Sequence, residues 1–212
     1  MVRERPILFN GPMVRALLDG SKTQTRRVVN NTHRNDGGFV LQDYGKGWWP
    51  YRSHDGESGC YLDRRKDGDY YNEAPLRCPY GRPGDRLWVR ETWARDDEDG
   101  AVFYRADLGT NSGADDWERN RLDGAPKYRW RPSIHMPRWA SRITMEIVSV
   151  RVERLQDITR GDAMAEGCPF PNMADGSDPL KWYAELWEQI NGPGSWAANP
   201  WVWVIEFKRI TT

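Results

Sequence analysis

The eight residues GSKTQTRR, at positions 20–27, bring together one lysine, two threonines and two arginines. A desolvated lysine with a lowered pKa can accept the proton of a neighbouring hydroxyl, whose oxygen then attacks a carbonyl carbon. Residues three apart in a turn can face each other, so Lys22 and Thr25 form the candidate pair. The positive charges of Arg26 and Arg27 would help to keep the lysine amine neutral.

The same residues also have a purely structural explanation. The preceding GPMVRALLD, residues 11–19, has Pro12 in its first turn and apolar residues at helical spacing, and Gly20 is typical of the residue that ends a helix. The sequence therefore predicts a helix over 11–19 and a loop that contains Lys22 to Arg27. Lysine and arginine side chains after a helix often bind its free carbonyl groups, so spacing alone leaves both interpretations open.

A glutamate near the end of another helix is the next candidate. In ITRGDAMAEG, Thr159 and Asp162 resemble a capping box, and Gly167 ends the helix. Glu166 then lies in the last turn, where the helix dipole disfavours a negative charge by about 0.3–1 kcal/mol. This position indicates a use for Glu166 elsewhere, although a solvated glutamate without a role is the alternative.

Two strands are predicted in the middle of the chain. GDRLWVRETW follows a turn at Pro83 and Gly84 and places Leu87 and Val89 on one face. AVFYRA, residues 101–106, is the expected partner strand.

The second half of the chain contains two further strands and a helix. ITMEIVSVRVERL is a long strand, and the change of apolar parity after Ile147 indicates a bulge. Three valines are expected to share one face of it: Val148, Val150 and Val152. Asp178 and Pro179 begin a helix with an apolar stripe. This buried stripe is expected to comprise Leu180, Tyr183, Trp187 and Ile190. The final WVWVIEFKRI is apolar on both faces and is predicted to be a central strand.

These elements indicate an α+β or mainly β fold, a small, strongly curved sheet or barrel covered by helices. We expect one domain over residues 1–212, with two polar insertions at about 30–80 and 107–130. The 31 basic and 31 acidic side chains cancel, so no global field favours nucleic acid or membrane. No apolar run reaches the roughly 20 residues of a membrane span, and MVRERP does not resemble a signal peptide. We therefore expect a cytoplasmic protein without a membrane partner.

Cysteine and histidine usage favours neither a disulfide framework nor a metal site. Cys60, Cys78 and Cys168 are odd in number and lack a CxxC pair. A metal site that combines His54 and Cys60 with Cys78 is conceivable but disfavoured, and His33 has no predicted role. We expect no metal and no cofactor.

A proline-rich loop, WRPSIHMPRWASR at residues 130–142, offers further substrate contacts. Its polar and aromatic candidates are Ser133, His135, Arg138 and Trp139. These side chains could line a pocket and stack on a base. The alternative is a hydrogen-bonded loop histidine and core tryptophans.

GSKTQTRR also resembles the GxKxxExR signature of the ASCH domain, a PUA-like β-barrel family associated with RNA. Gly20, Lys22 and Arg27 match this signature, whereas Thr25 stands at the position of its glutamate. The bacterial N4-acetylcytidine amidohydrolases of this family carry the order Lys-Thr-x-Thr-x-Arg. KTQTRR is similar to it at Lys22, Thr23, Thr25 and Arg27.

The resemblance extends to other parts of the chain. In the amidohydrolases, the lysine and the second threonine form a triad with a glutamate that ends a helix, and Glu166 falls at the matching place. Phage and prophage ASCH-like proteins resemble RPILFNGPMVRALLDGSKTQTRR, GDRLWVRETW, WRPSIHMPRWASRI and NPWVWVIEFK. These segments cover both ends and the middle, whereas the two insertions have no counterpart in the small amidohydrolases.

The resemblance implies an amidohydrolase that acts on a modified nucleoside, nucleotide or RNA base. Thr25 would attack the acyl carbonyl carbon of an N4-acylated cytosine, Lys22 would be its base, and Glu166 would protonate the leaving amine or activate water. The expected substrate-binding residues are Thr23, Arg26, Arg27, Ser133, His135, Arg138 and Trp139.

Two other functions remain open from the sequence. The first is an RNA- or DNA-binding module, or a nuclease, in which Lys22, Arg26, Arg27 and the basic segment 127–160 hold phosphates. The second is a phage interaction protein whose insertions bind a host factor.

Overall fold

The structure is a computed structural model, and it describes residues 2–29, 78–96, 100–108, 129–169 and 178–210 with their side chains. Of four further strands, at 39–43, 48–52, 63–64 and 70–71, it describes the backbone. The residues His33, His54 and Cys60 and most of both predicted insertions lie outside the described residues.

Eleven strands and three α-helices make up the described part of the chain. In order, they are β1 (Glu4–Leu8), α1 (Gly11–Asp19), β2 (Gln24–Val28), β3 (Phe39–Asp43), β4 (Trp48–Arg52), β5 (Asp63–Arg64), β6 (Tyr70–Tyr71), β7 (Arg86–Arg90), β8 (Trp93–Arg95), β9 (Val102–Tyr104), β10 (Thr144–Arg154), α2 (Arg160–Ala165), α3 (Pro179–Asn191) and β11 (Trp201–Arg209). The expected α+β class is therefore confirmed.

A mixed five-stranded sheet forms the centre, in the order β1-β7-β10-β11-β2. β1 pairs with β7 in parallel, and the other three pairings are antiparallel. β11 lies between β10 and β2, which confirms the prediction of an interior strand. The sheet does not close into the expected barrel, because β1 and β2 are its two edges.

Helices cover both faces of the sheet. On one face, α1 packs its buried residues Val14 and Leu17 into a core that includes Trp203 and Ile205 of β11. On the other face, α2 and α3 pack against Val202 and other residues of β11. Alternate residues of β11 thus enter two separate cores, which explains why both of its faces are apolar.

The predicted helix ends are confirmed. The Asn10 side chain accepts a hydrogen bond from the Met13 amide at 3.0 Å at the start of α1, and Gly20 ends this helix with φ 83°. Thr159 and Asp162 form the expected capping box of α2. Asp178 caps α3, with Pro179 as its first residue.

The prediction of a loop over Lys22 to Arg27 is wrong. Gln24–Val28 forms β2, which pairs with β11 so that Thr25 lies opposite Ile205. A polar strand of this kind carries little local signal, because its position depends on pairing with a distant part of the chain.

Three further predictions differ in detail. AVFYRA supplies β9, which pairs with β8 instead of β7, because β1 and β10 already occupy both edges of β7. The bulge after Ile147 is confirmed, but Val148 lies in it and is exposed, whereas Val150 and Val152 pack against the core. In the stripe of α3, Tyr183 and Trp187 are buried and Ile190 is exposed, because Ile190 lies at the open end of a cleft.

Among the described residues, no helix has both the length and the apolar character that a membrane crossing requires.

A glycine fixes how closely α2 approaches the start of β2. Gly167 has φ 94°, and an added Cβ atom there would lie 2.9 Å from the Cβ atom of Ala16 and 3.2 Å from that of Lys22. Gly192 has a similar φ of 95° but no neighbouring atom within 4 Å of such a Cβ. Comparing alanine substitutions at the two glycines therefore separates the cost of backbone strain from the cost of a steric clash.

We predict that Gly167→Ala destabilises the protein more than Gly192→Ala does. The backbone strain that both variants share costs about 1–2 kcal/mol, and only Gly167→Ala adds a steric clash. Urea unfolding of both variants measures the two losses. Equal losses would show that Gly167 does not limit the approach of α2.

Candidate functional site

The centre of the site is a contact between the start of β2 and the end of α2. The Thr23 amide donates to the Ala165 carbonyl at 2.8 Å, and Lys22 forms a β-bridge with Glu166. The Lys22 Nζ atom donates both to the Glu166 carbonyl oxygen and to its Oε2 atom, each at 2.8 Å. These side chains are 0% and 2% exposed, so the ion pair is buried.

A second buried cation completes this cluster. The Arg26 guanidinium lies 3.4 Å from Glu166 Oε1, 3.4 Å from Asp162 Oδ2 and 3.6 Å from Glu153 Oε2. It also lies over the Tyr183 ring, 6.0 Å from the ring centroid. Arg26 therefore compensates the carboxylate charges at the end of α2, and Glu166 receives a cation on each oxygen.

The electrostatic environment favours a neutral lysine. Burial has the largest effect and lowers the pKa of Lys22 below its ordinary value of 10.5. Glu166 opposes this shift, whereas Arg27 and Arg26 lower the pKa further. A neutral amine has a lone pair that can accept a proton, so the surroundings of Lys22 suit a general base.

Thr25 has a buried, unpartnered hydroxyl and lies beside a cleft. Its Oγ1 atom has no hydrogen-bond partner among the described residues. A buried hydroxyl without a partner costs about 1–3 kcal/mol. Thr25 and Glu166 are both lining residues of the cleft.

Polar and apolar residues line the cleft together. It encloses about 370 Å³, including space open to solvent. Its polar lining residues are Thr25, Arg26, Arg27, Glu166, Tyr183 and Asn191. Its apolar lining residues are Met13, Val28, Leu186, Trp187 and Ile190. A mixed lining of this kind is typical of small-molecule sites.

Tyr183 is a site residue that sequence reasoning missed. The helical stripe predicted it only as core, and it is indeed buried. Burial raises the pKa of Tyr183 well above 10.0, and the charge and hydrogen bonding of Glu166 raise it further. Its hydroxyl therefore stays protonated, and its one proton is donated to Glu166. A tyrosine within an otherwise apolar stripe is the one sequence signal for this role.

The structure gathers only some of the predicted site residues. Lys22 contacts Glu166, and the cleft brings together Thr25, Arg26 and Arg27. Thr23 is exposed and contributes only backbone hydrogen bonds, to Ala165 and Phe207.

The four candidates of the proline-rich loop do not line this cleft. Ser133 and His135 lie in one short 3₁₀ turn, and Arg138 and Trp139 lie in the next. Arg138 contacts Glu4 of β1, and the exposed Trp139 packs edge-on against Trp93. This loop therefore lies by β1, the sheet edge opposite to β2 in strand order. The sequence could not reveal this, because the strand order depends on pairings between distant segments.

Within the described ranges, no cluster of three histidine, cysteine or acidic side chains could hold a metal ion. The Cys78 thiol is free.

Comparison with known proteins assigns no family to this chain. No protein-family model, curated protein or solved structure matched it. The ASCH resemblance therefore rests on the sequence motifs alone, and the site is argued from its own geometry.

We predict that Lys22 titrates below its ordinary pKa of 10.5, because burial disfavours its charged form. An NMR titration of protein labelled at the lysine Cε carbon tests this, and the chain has only six lysines to resolve. The Lys22 resonance is identified as the signal that is absent from the spectrum of the Lys22→Arg variant. Titration at or above 10.5 would show that Glu166 outweighs burial.

The same shift has a consequence for stability. Since the folded-state pKa of Lys22 lies below the unfolded value, the unfolded chain binds more protons between the two values, and the free energy of unfolding rises with pH there. We expect this rise to be smaller in Lys22→Met, measured by urea unfolding at several pH values. The series stops below pH 10.0, because the raised pKa of Tyr183 lowers stability above it. Identical slopes would contradict the lowered pKa of Lys22.

Proposed function

We propose that this protein is an amidohydrolase that removes an acyl group from N4 of a cytosine base. The observation that carries the proposal is the buried, unpartnered hydroxyl of Thr25, a residue that lines the same cleft as Glu166, while Glu166 holds the buried Lys22. The order of residues in KTQTRR, similar to that of the ASCH-family amidohydrolases, supports the same assignment.

The hydrogen bonds of Lys22 suit a base. A neutral amine has two N–H groups and one lone pair. Glu166 offers two acceptors to Lys22, its carbonyl oxygen and Oε2, each at 2.8 Å from Nζ. In the neutral form of Lys22, both N–H groups are then used and the lone pair is left to accept a proton. Thr25 Oγ1 has no hydrogen bond to Lys22 in the described part of the chain, so the proposed reaction requires the two groups to approach each other when substrate binds.

The proposed reaction has two steps. In the first, Thr25 Oγ1 bonds to the acyl carbon, its proton passes to Lys22, and the C–N bond breaks as Lys22 returns the proton to the leaving N4 amine. In the second, water attacks the acyl carbon of the Thr25 ester, its proton passes to Lys22, and the C–O bond to Thr25 breaks as Lys22 returns the proton to Oγ1 and the carboxylic acid leaves. Glu166, which also accepts a hydrogen bond from Tyr183, orients Lys22 in both steps.

The alternative of phosphate binding by Lys22 and Arg26 is less compatible with the geometry. Both charged groups are 0% exposed, and both contact carboxylates. A phosphate would have to displace Glu166 from buried ion pairs to reach them, and breaking such a pair costs about 3–5 kcal/mol.

The direct test is chromatographic. Purified protein is incubated with N4-acetylcytidine, N4-acetyldeoxycytidine and N6-acetyladenosine, and the products are separated. We expect deacetylation of the cytosine compounds and a loss of at least about 10³-fold in Lys22→Met, which keeps the length of the side chain but has no base. Folded wild-type protein without any conversion, or unchanged conversion by Lys22→Met, would overturn the proposal.

Thr25→Val is predicted to lose activity without losing stability. Valine has the shape of threonine but lacks the nucleophile, so the same chromatographic assay should show at least about 10³-fold less product. The free energy of unfolding should stay equal or rise by up to about 1–3 kcal/mol, because the lost hydroxyl is buried without a described partner.

Thr23→Val is the matched control for this variant. Thr23 is exposed, and its backbone hydrogen bonds survive the change, so both activity and stability should stay near those of the wild type. Retained turnover in Thr25→Val, or an equal loss in Thr23→Val, would remove Thr25 as the nucleophile.

A further inference from the structure

The outward face of β7 carries a tryptophan between two arginines. Leu87 and Val89 point into the core, so Trp88 lies on the opposite face of the strand. The guanidinium carbons of Arg90 and Arg138 lie 5.5 Å and 5.9 Å from the centroid of the Trp88 ring. An aromatic ring flanked by arginines is the arrangement that binds stacked bases and their phosphates.

We define the outer β7 surface as the surface formed by the side chains of Leu8, Trp88, Arg90, Ile134 and Arg138. Leu8 and Ile134 are 43% and 55% exposed, and the Arg138 side chain is 44% exposed. This surface therefore presents apolar and cationic groups together.

Its charge is positive. Arg90 donates to the carbonyl oxygens of Met136 and Ile134 and has no carboxylate partner among the described residues. Arg138 contacts Glu4, which also lies 3.7 Å from Arg86. Among the described side chains, one carboxylate thus neutralises part of this arginine cluster, and a polyanion is the complementary ligand.

The surface continues into the cleft through Arg27. Leu8 of β1 lies opposite Arg90 of β7, and the Leu8 carbonyl accepts a hydrogen bond from Arg27 Nη2 at 2.7 Å. Arg27 lines the cleft, and its guanidinium lies over the Phe9 ring at 5.2 Å from the centroid. Arg27 therefore connects the cleft to Leu8, a member of the outer β7 surface that pairs with Arg90.

We propose that the outer β7 surface binds a single-stranded nucleic acid, so that the substrate is a modified base within a polynucleotide. Trp88 stacks on a base, and Arg27, Arg90 and Arg138 contact successive phosphates. The identity of the base in the cleft rests on the proposed function, whereas strand binding does not.

Binding is measured by fluorescence anisotropy with a labelled, unmodified RNA of about 12 nucleotides and with DNA of the same sequence. We expect salt-dependent binding of a single strand by the wild type. Arg138→Ala should weaken it and reduce the slope of log K against log salt by about 0.7 for one lost phosphate contact. Trp88→Ala should weaken binding at least about fivefold, and Trp88→Phe, which keeps an aromatic ring, should lie between.

Arg160→Ala is the matched control, because Arg160 is an exposed arginine on α2, outside the outer β7 surface. It removes the same charge and should leave the slope as in the wild type. Circular dichroism confirms that each variant is folded, and Arg138→Ala keeps the test decisive if Trp88→Ala does not fold.

A hydrolysis assay tests whether the outer β7 surface contributes to substrate binding for the cleft. The ratio of kcat/KM for an N4-acetylated oligonucleotide to that for N4-acetylcytidine should fall at least about fivefold in Trp88→Ala. If the protein binds the strand but hydrolyses nothing, nucleic-acid binding by the outer β7 surface is supported and the proposed function is overturned. If it hydrolyses the nucleoside but does not bind the strand, the proposed function is supported and nucleic-acid binding by this surface is overturned.

Two results would overturn the inference. One is equal binding by the wild type, Trp88→Ala and Arg138→Ala. The other is displacement of the strand by polyglutamate at equal charge concentration, which would assign the surface to acidic polypeptides.

Discussion

Burial of two cations around one carboxylate is the constraint on which this structure depends. Lys22 and Arg26 contact opposite oxygens of Glu166, and all three side chains are almost fully buried. Removing a charged group from water costs several kcal/mol of desolvation free energy, and only close partners of opposite charge offset this cost. The end of α2 and the start of β2 must therefore stay in contact. The capping box of α2, the close approach at Gly167 and the bridge between Lys22 and Glu166 all serve this contact.

The same constraint gives the site its chemistry. Arg26 compensates the acidic side chains at α2, so that burial can lower the pKa of Lys22 although Glu166 lies beside it. The Thr25 hydroxyl, in contrast, lacks a partner among the described residues, and Thr25 lines the cleft. Lys22 thus has close hydrogen-bond partners, whereas the Thr25 hydroxyl has none among the described residues. Such a difference is expected where stability is given up for reactivity.

Local signals predicted much of the fold, and distant pairings decided the rest. Gly20, the capping box at Thr159 and Asp162, and the bulge after Ile147 all follow from short-range geometry. β2 was missed because QTRRV has no apolar alternation, and its strand conformation comes from pairing with β11. For the same reason, the sequence brought Lys22, Thr25 and Glu166 together only through a family resemblance, and it wrongly drew the proline-rich loop into the same pocket.

The open edge of the sheet at β2 borders the cleft. A barrel closed by backbone pairing between β1 and β2 would occupy the edge of β2 that borders the cleft. Instead, a side chain spans the gap, because Arg27 donates to the Leu8 carbonyl while its guanidinium lies over Phe9. This link joins the two sheet edges. It also connects the cleft, which Arg27 lines, to Leu8 of the outer β7 surface.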